Sequence, residues 1–125
     1  MFAPSLCYVC KEFVKRGNAG HIISMTSGQS RASMGSKKIP YSITKAALEM
    51  FAPQLAPELA KRGITINALD PGPTDTGWMT EELKEQVRRD SKWDKVNTPE
   101  DVARLIVSIL TEKKYPSGEV IHAER

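Results

Sequence analysis

Apolar side chains recur at three- and four-residue steps in three stretches of the chain, which is the spacing of a buried helix face. The first stretch runs from about Pro4 to Lys15, and the second runs from Tyr41 to about Arg62 and ends before Gly63. The third begins at Thr98–Asp101, where a capping threonine, a proline and two acids precede an apolar face. The pattern therefore predicts three amphipathic helices.

Two further signals modify this helical pattern. Pro53 and Pro57 fall inside the second predicted helix, and an interior proline costs about 3 kcal/mol and kinks a helix. We therefore expect a bend there, or a break with Pro57 opening a second helical piece. A fourth, mostly polar helix is expected after Thr80, because Glu81 and Glu82 favour the positive end of a helix dipole.

Short β-branched and apolar runs bounded by turn residues predict three strands, at His21–Met25, Ile64–Leu69 and Gly118–His122. A long loop rich in Ser, Gly and Lys is expected over residues 26–38. Because these strands alternate with helices, right-handed crossovers and a parallel sheet with helices on its faces are expected. The predicted fold class is α/β, as half of a doubly wound sheet of about three parallel strands.

Composition narrows the kind of protein. The 125 residues, of which 40% are hydrophobic, suffice for a single domain and one core. The net charge of +3 is scattered rather than gathered into a stripe, so nucleic acid is not an expected partner. Apolar runs are too short for a membrane span and no signal peptide is apparent, which predicts a cytoplasmic protein without a membrane partner.

Cys7 and Cys10 form a Cys-x-x-Cys within the first predicted helix. A structural zinc site needs four ligands, and beyond these two cysteines the chain offers only His21 and His122. A redox pair would need to sit at a helix N-terminus after a strand. Two reduced thiols and no metal site are therefore the favoured interpretation.

Tyr41 and Lys45 stand four residues apart at the start of the second predicted helix, so they share one helical face. A free phenol has a pKa of about 10, and a neighbouring cation favours its phenolate form, which suits proton exchange with a substrate. Tyrosine and lysine at this spacing also occur often by chance on exposed helices. The pair alone does not identify a site.

The turns around this helix add to the pattern. Thr26-Ser27-Gly28 ends the strand before the helix, and Asp70–Thr74 ends the strand after it. Ligands of open parallel sheets bind just beyond the carboxyl ends of the strands. The hydroxyls, the Tyr41–Lys45 pair and the Pro-Gly turn are thus predicted to converge on one crevice.

The order and spacing of these motifs resemble those of the short-chain dehydrogenase/reductases over almost the whole chain. The matching motifs are Thr26–Gly28, Tyr41–Ala47, Gly63–Thr76, Thr98–Ala103 and Ser117–Ile121. Within the family the chain is most similar to bacterial 3-oxoacyl-[acyl-carrier-protein] reductase-like members. The resemblance implies the C-terminal half of a Rossmann-type fold, and an NAD(P)-dependent oxidoreductase that interconverts carbonyls and alcohols by hydride transfer.

The resemblance also implies roles for individual residues. Tyr41 would be the general acid/base, Ser27 would bind the same substrate oxygen, and Lys45 would favour the phenolate and hydrogen-bond the nicotinamide ribose. The catalytic set is therefore Ser27, Tyr41 and Lys45. The implied cofactor contacts are Tyr41, Lys45, Pro71, Gly72, Thr74 and Thr76. The implied substrate contacts are Gln29, Trp78 and Met79.

Several of these roles have alternatives. Thr26 could supply the hydroxyl instead of Ser27, which precedes Tyr41 by fourteen positions where the family usually shows thirteen. Trp78 and Met79 could form only the apolar edge of a flap. His122 is interpreted as a strand-end residue rather than a catalytic one.

The family's glycine-rich motifs, Gly-x-x-x-Gly-x-Gly and Gly-x-Gly-x-x-Gly, do not occur in this sequence. Residues 1–125 are accordingly expected to be one partial, truncated domain that lacks the N-terminal dinucleotide-binding half. The cofactor is NAD or NADP, and the partners are a small carbonyl or alcohol substrate and either a homo-oligomer or another chain of the family. The alternative function is a catalytically inactive remnant that only associates with a full-length or complementary subunit.

Overall fold

The computed structural model describes residues 2–28, 38–89, 95–112 and 115–123. The elements of these segments, in chain order, are α1 (Phe2–Arg16), β1 (Gly20–Met25), α2 (Ile39–Ala60), β2 (Ile64–Asp70), α3 (Glu81–Arg89), α4 (Pro99–Thr111) and β3 (Val120–His122). Helices and strands alternate as the sequence predicts, and the strands form one parallel sheet. The prediction of an α/β fold with three parallel strands and flanking helices is confirmed.

The sheet has the order β1-β2-β3, with β2 in the centre. Ile22 pairs with Ile66 and Met25 with Leu69, while Leu69 also pairs with Ile121 on the other side. The centre of β2 is buried on both faces, since Ile66 is fully buried and its neighbour Asn67, which points to the opposite face, is 3% exposed. Since all strands run the same way, their carboxyl ends meet at one edge of the sheet.

Two apolar clusters fill the space between the sheet and its helices. Helices α1 and α2 cover one face with a cluster of Cys10, Ile22, Ala52, Ala56, Leu59, Ile64, Ile66 and Ala68. Helix α4 contributes Ile109 to a smaller cluster with Leu69 and Ile121. The three-layer arrangement follows from the helical and strand periodicities of the sequence.

Helix α2 continues without interruption through Pro53 and Pro57. The predicted alternative of a break, with Pro57 opening a second helical piece, is therefore wrong. Both prolines are exposed, so water can hydrogen-bond the carbonyls that lose an amide partner. Ala52, Ala56 and Leu59 on the buried side of the helix hold it against the sheet, and this packing offsets the cost of the prolines.

The predicted helix starts at Thr80 and Thr98 are both confirmed. Thr98 Oγ1 accepts from the Asp101 amide at 3.2 Å, and Asp101 Oδ2 accepts from the Thr98 amide at 3.0 Å, which is a reciprocal capping box. Thr80 Oγ1 accepts from the Leu83 amide at 3.3 Å. These bonds satisfy amides that have no partner within a helix.

Cys7 and Cys10 are free cysteines on α1. Burial, with Cys7 close by, raises the pKa of the Cys10 thiol. Within the described segments no group of three or more His, Cys, Asp and Glu side chains is arranged to hold a metal ion. No described helix has the length and apolar character needed to cross a membrane.

Acid should weaken the α4 cap within a pH window that Asp101 sets. Hydrogen bonds from the Thr98 amide and from Arg104 lower the pKa of Asp101 from an ordinary 3.8 to about 2. The carboxylate therefore stabilises the fold above about pH 4, and this contribution disappears as the pH falls through about 2. Thermal unfolding should show a Tm difference between the native chain and Asp101→Asn that shrinks over this window. A Tm difference that does not change with pH would contradict this role of Asp101. Glu100→Gln, which keeps the reciprocal bonds, is the control.

Candidate active site

The carboxyl ends of the three strands lie side by side. The Thr26 amide, just after β1, donates to the Leu69 carbonyl of β2 at 2.7 Å. The Ala123 amide, just after β3, donates to the Asp70 carbonyl at 2.9 Å. The polar residues that follow β1 and β2 therefore emerge at one edge, as the sequence predicts for a ligand crevice.

Lys45 connects α2 to the end of β1. Its ammonium Nζ donates to the Met25 carbonyl at 2.9 Å. The same Nζ lies 5.7 Å from the centre of the Tyr41 ring, one helical turn earlier. Burial lowers the pKa of Lys45 from its ordinary 10.5. A partly desolvated cation is thus held between a strand end and a phenol ring, where its field acts more strongly than in water.

The two hydroxyls after β1 differ in accessibility. Thr26 is 4% exposed, and within the described residues its Oγ1 has no hydrogen-bond partner. Ser27 is half-buried and follows Met25, the residue that holds Lys45, by two positions. Tyr41 is 44% exposed. The side chains of Tyr41 and Ser27 are therefore accessible, whereas the Thr26 side chain is buried.

The predicted turn after β2 is tightly organised. Gly72 has a φ of 69°, a left-handed conformation that favours glycine. Its amide donates to Asp70 Oδ1 at 3.1 Å, and its carbonyl accepts from Thr74 Oγ1 at 3.1 Å. Pro71 is half-buried beside it. The turn therefore presents a fixed backbone at the sheet edge.

Asn97 and His122 reach this turn from other parts of the chain. Asn97 Nδ2 donates to the Pro71 carbonyl at 2.7 Å, and His122 Nδ1 lies 3.2 Å from Asp70 Oδ2. The role of Asp70 had a signal in the sequence, since aspartate before Pro-Gly is typical of turns closed by a side chain. Asn97 had none, because it lies 26 positions from Pro71 and precedes an ordinary helix cap.

Asp75 organises the segment that follows the turn. Its Oδ1 accepts from the Gly77 amide at 2.9 Å and from the Met79 amide at 3.5 Å. Its Oδ2 pairs with Lys84 Nζ of α3 at 2.7 Å. This hydrogen-bonded pair lowers the pKa of Asp75 and raises the pKa of Lys84. The carboxylate thus ties α3 to the loop between Gly72 and Thr80.

The remaining predicted contacts are on this loop or outside the described residues. Thr76 is exposed, Met79 is half-buried, and Trp78 is 62% exposed. The Trp78 indole is therefore open to solvent rather than enclosed by the described residues. Gln29 lies outside the described residues.

A cavity of about 260 Å³ lies away from this edge, between the sheet and the end of α4. Its lining includes His21, Thr65 and Tyr115 and none of the predicted site residues. His21 and Thr65 pair near the amino ends of β1 and β2, with His21 Nδ1 2.7 Å from Thr65 Oγ1.

Comparison with known sequences defines the family. A family model described as enoyl-(acyl carrier protein) reductase matches residues 3–125. YjdA, an uncharacterized oxidoreductase of Bacillus subtilis, is 38% identical over 93% of this chain and 48% of its own length. The 3-oxoacyl-[acyl-carrier-protein] reductase FabG of Aquifex aeolicus is 38% identical over 68% of this chain and 36% of its own. The chain therefore spans about half the length of YjdA, and its match to FabG covers 36% of the length of that protein.

Solved structures show the same arrangement. The reductase LugOII, described as catalysing a keto-reduction, is 35% identical with a TM-score of 0.68 over 82% of this chain and 42% of its own. A blue fluorescent protein from a metagenomic library, in complex with NADPH, is 25% identical with a TM-score of 0.71. This match covers 83% of the present chain and 43% of the fluorescent protein. The chain therefore belongs to the short-chain dehydrogenase/reductases, a family of oxidoreductases. The resemblance inferred from its motifs is confirmed.

The opposite environments of two lysines provide a test of the site geometry. Desolvation should make Lys45 titrate below 10.5, whereas pairing with Asp75 and Glu81 should make Lys84 titrate above it. Heteronuclear NMR of the lysine side chains measures both in one sample. Asp75→Asn should move the Lys84 value back towards 10.5 and leave the Lys45 value in place. Equal pKa values for Lys45 and Lys84 in the native chain would contradict the described geometry.

Proposed function

We propose that this chain carries the catalytic part of an NAD(P)-dependent oxidoreductase that interconverts a carbonyl and an alcohol. The observation that carries the proposal is the Lys45 ammonium, held by the Met25 carbonyl beside the Tyr41 ring. This group lies where β1 ends, at the sheet edge where open α/β folds bind ligands. The reductases among the relatives support the reaction class.

Tyr41 is the proposed general acid/base. Its exposed hydroxyl gives a proton to the substrate oxygen during reduction and takes one back during oxidation. The Lys45 ammonium stabilises the phenolate that forms when the proton leaves. Ser27, half-buried two residues beyond Met25, hydrogen-bonds the same substrate oxygen and orients the carbonyl carbon. Thr26 is a weaker candidate because its side chain is buried.

The residues at this edge suit a nicotinamide nucleotide. When bound, that cofactor supplies a hydride to the carbonyl carbon or accepts one from the alcohol. Lys45 and Tyr41 would hydrogen-bond its ribose, because an ammonium and a phenol match ribose hydroxyls. The turn of Pro71 and Gly72 would face the nicotinamide, with the hydroxyls of Thr74 and Thr76 beside it.

Substrate contacts are proposed on the loop after the turn. Trp78 is exposed, and the backbone amide of Met79 donates a hydrogen bond to Asp75 Oδ1. Together they offer an apolar, polarizable surface for the part of a substrate that does not react. Gln29, which follows Ser27 closely in sequence, would add a polar contact. The substrate is accordingly a small carbonyl or alcohol with an apolar portion.

A second candidate function is association with another chain of the family without catalysis. Helices α1 and α2 pack against one another and carry exposed apolar side chains, including Tyr8 at 66% and Met50 at 55% exposure. Such side chains are enriched at interfaces between subunits. We propose that residues 1–125 form one partial domain that acts in the cytoplasm. It would act either as a homo-oligomer or together with another chain of the family.

Substitution of Tyr41 should separate binding from chemistry. In Tyr41→Phe, kcat for reduction of a small ketone should fall by about 10²- to 10⁴-fold, because the proton donor is lost. The Kd for NADH or NADPH, followed by nicotinamide fluorescence, should rise far less than kcat falls, because only one ribose hydrogen bond is lost and Lys45 remains. Tyr8→Phe, at an exposed tyrosine of α1, is the matched control and should retain the native kcat and Kd. An active Tyr41→Phe enzyme would contradict the proposed acid/base role.

Substitution of Lys45 should weaken the cofactor complex itself. Lys45→Ala removes the ammonium that would hold the ribose and stabilise the phenolate, so saturable binding of NADH and NADPH should be lost. Lys61→Ala, on an exposed lysine at the end of α2, is the control. A folded native chain that binds neither cofactor would favour the second candidate, which co-purification with a full-length relative would then support.

A further inference from the structure

We infer that Asn97 and Asp70 are positioning residues that lock the orientation of the single peptide joining Pro71 to Gly72. This inference rests on the proposed function only for its consequence, which is that the locked peptide presents the turn to the nicotinamide cofactor. Neither side chain is expected to touch the reacting atoms. Their effect on binding passes through the backbone of the turn.

The two polar groups of this one peptide are held from different parts of the chain. Its carbonyl, on Pro71, accepts from Asn97 Nδ2 at 2.7 Å. Its amide, on Gly72, donates to Asp70 Oδ1 at 3.1 Å. A rotation of the peptide about its neighbouring bonds would break both hydrogen bonds together. The pair therefore acts as a clamp, which we call the Asn97–Asp70 clamp.

The turn needs this clamp because it cannot close in the usual way. A four-residue turn is often closed by a hydrogen bond from the fourth amide to the first carbonyl. Here the fourth residue is Pro73, which has no amide hydrogen. The first carbonyl, on Asp70, instead accepts from the Ala123 amide at 2.9 Å. Side chains thus replace the missing backbone bond.

The conformation of Gly72 shows which orientation the clamp selects. A φ of 69° after a proline is typical of the turn type in which the central peptide is flipped relative to the commonest type. Glycine tolerates both signs of φ, so its own preference does not fix the orientation. The hydrogen bonds from Asn97 and to Asp70 supply that preference.

Both clamp side chains are themselves aimed by their surroundings. The backbone amide of Asn97 donates to the Pro73 carbonyl at 2.7 Å, and the backbone carbonyl of Asn97 accepts from the Asp75 amide at 2.9 Å. Asn97 is 6% exposed and Asp70 is 3% exposed. The second carboxylate oxygen of Asp70 lies 3.2 Å from His122 Nδ1. Buried hydrogen bonds of this kind are costly to lose because the remaining partner stays desolvated.

The requirement at position 97 is for a short side chain with a donor. Asparagine provides an N–H group and keeps its backbone in the paired segment with Thr74. Aspartate has the same shape but places an oxygen against the Pro71 carbonyl, so it removes the bond and adds repulsion. Asn97→Asp and Asn97→Ala therefore remove the same hydrogen bond by different means.

The first arm of the test uses no cofactor. In the ¹⁵N-labelled full chain, hydrogen exchange of the Gly72 amide should accelerate about tenfold or more in Asn97→Ala, Asn97→Asp and Asp70→Ala. Asp70→Asn keeps an acceptor oxygen and should restore protection. Asn18→Ala, at an exposed asparagine after α1, is the control. Unchanged Gly72 exchange in folded Asn97 and Asp70→Ala variants would overturn the clamp.

The second arm measures the Kd for NADPH and NADH together with Tm. Asn97→Asp should weaken binding about tenfold in a chain that stays folded, and Asp70→Asn should weaken it less than Asp70→Ala. If the native chain binds and the Asn97 variants bind equally well, the consequence for the cofactor is overturned. If the native chain does not bind while Gly72 exchange responds, the proposed function fails and the clamp is supported.

Discussion

The parallel pairing of β2 between β1 and β3 is the constraint on which the rest of the structure depends. The centre of β2 is buried on both faces and pairs along both edges, so its register cannot shift without exposing its apolar side chains. This register sets Met25 beside Leu69 and Asp70 beside His122. Lys45, through its hydrogen bond to Met25, contacts the end of β1, and the Pro71–Gly72 turn and the loop after it follow the end of β2.

A second dependence runs through electrostatics. The Lys45 ammonium donates to the Met25 carbonyl and lies close to the Tyr41 ring. Burial lowers its pKa, and the same burial strengthens its influence on a phenolate. In the segment after β2 the Asp75–Lys84 pair fixes the loop that carries Trp78. The strand ends thus carry a partly desolvated cation and a fixed turn, and the loop after the turn carries an exposed indole.

Local signals in the sequence were sufficient for most of the fold and for part of the site. Some features depend only on residues close together in the sequence, so pattern alone reveals them. They are the capping residues Thr80 and Thr98, the strand cores and the Tyr41–Lys45 spacing. The unbroken helix through Pro53 was not predictable, because packing against the sheet outweighs local propensity. Asn97 was not predictable either, because its partner Pro71 is distant in sequence and near only after folding.

The proposed nicotinamide site lies at the strand ends around Lys45. The most direct measurement is NMR chemical-shift mapping of the ¹⁵N-labelled chain during titration with NADPH and NADH. A nicotinamide site at this place should give saturable shifts at the backbone amides of Ser27, Lys45 and Gly72. Shifts confined to the cavity lined by His21, Thr65 and Tyr115, or no shifts in a folded chain, would contradict it.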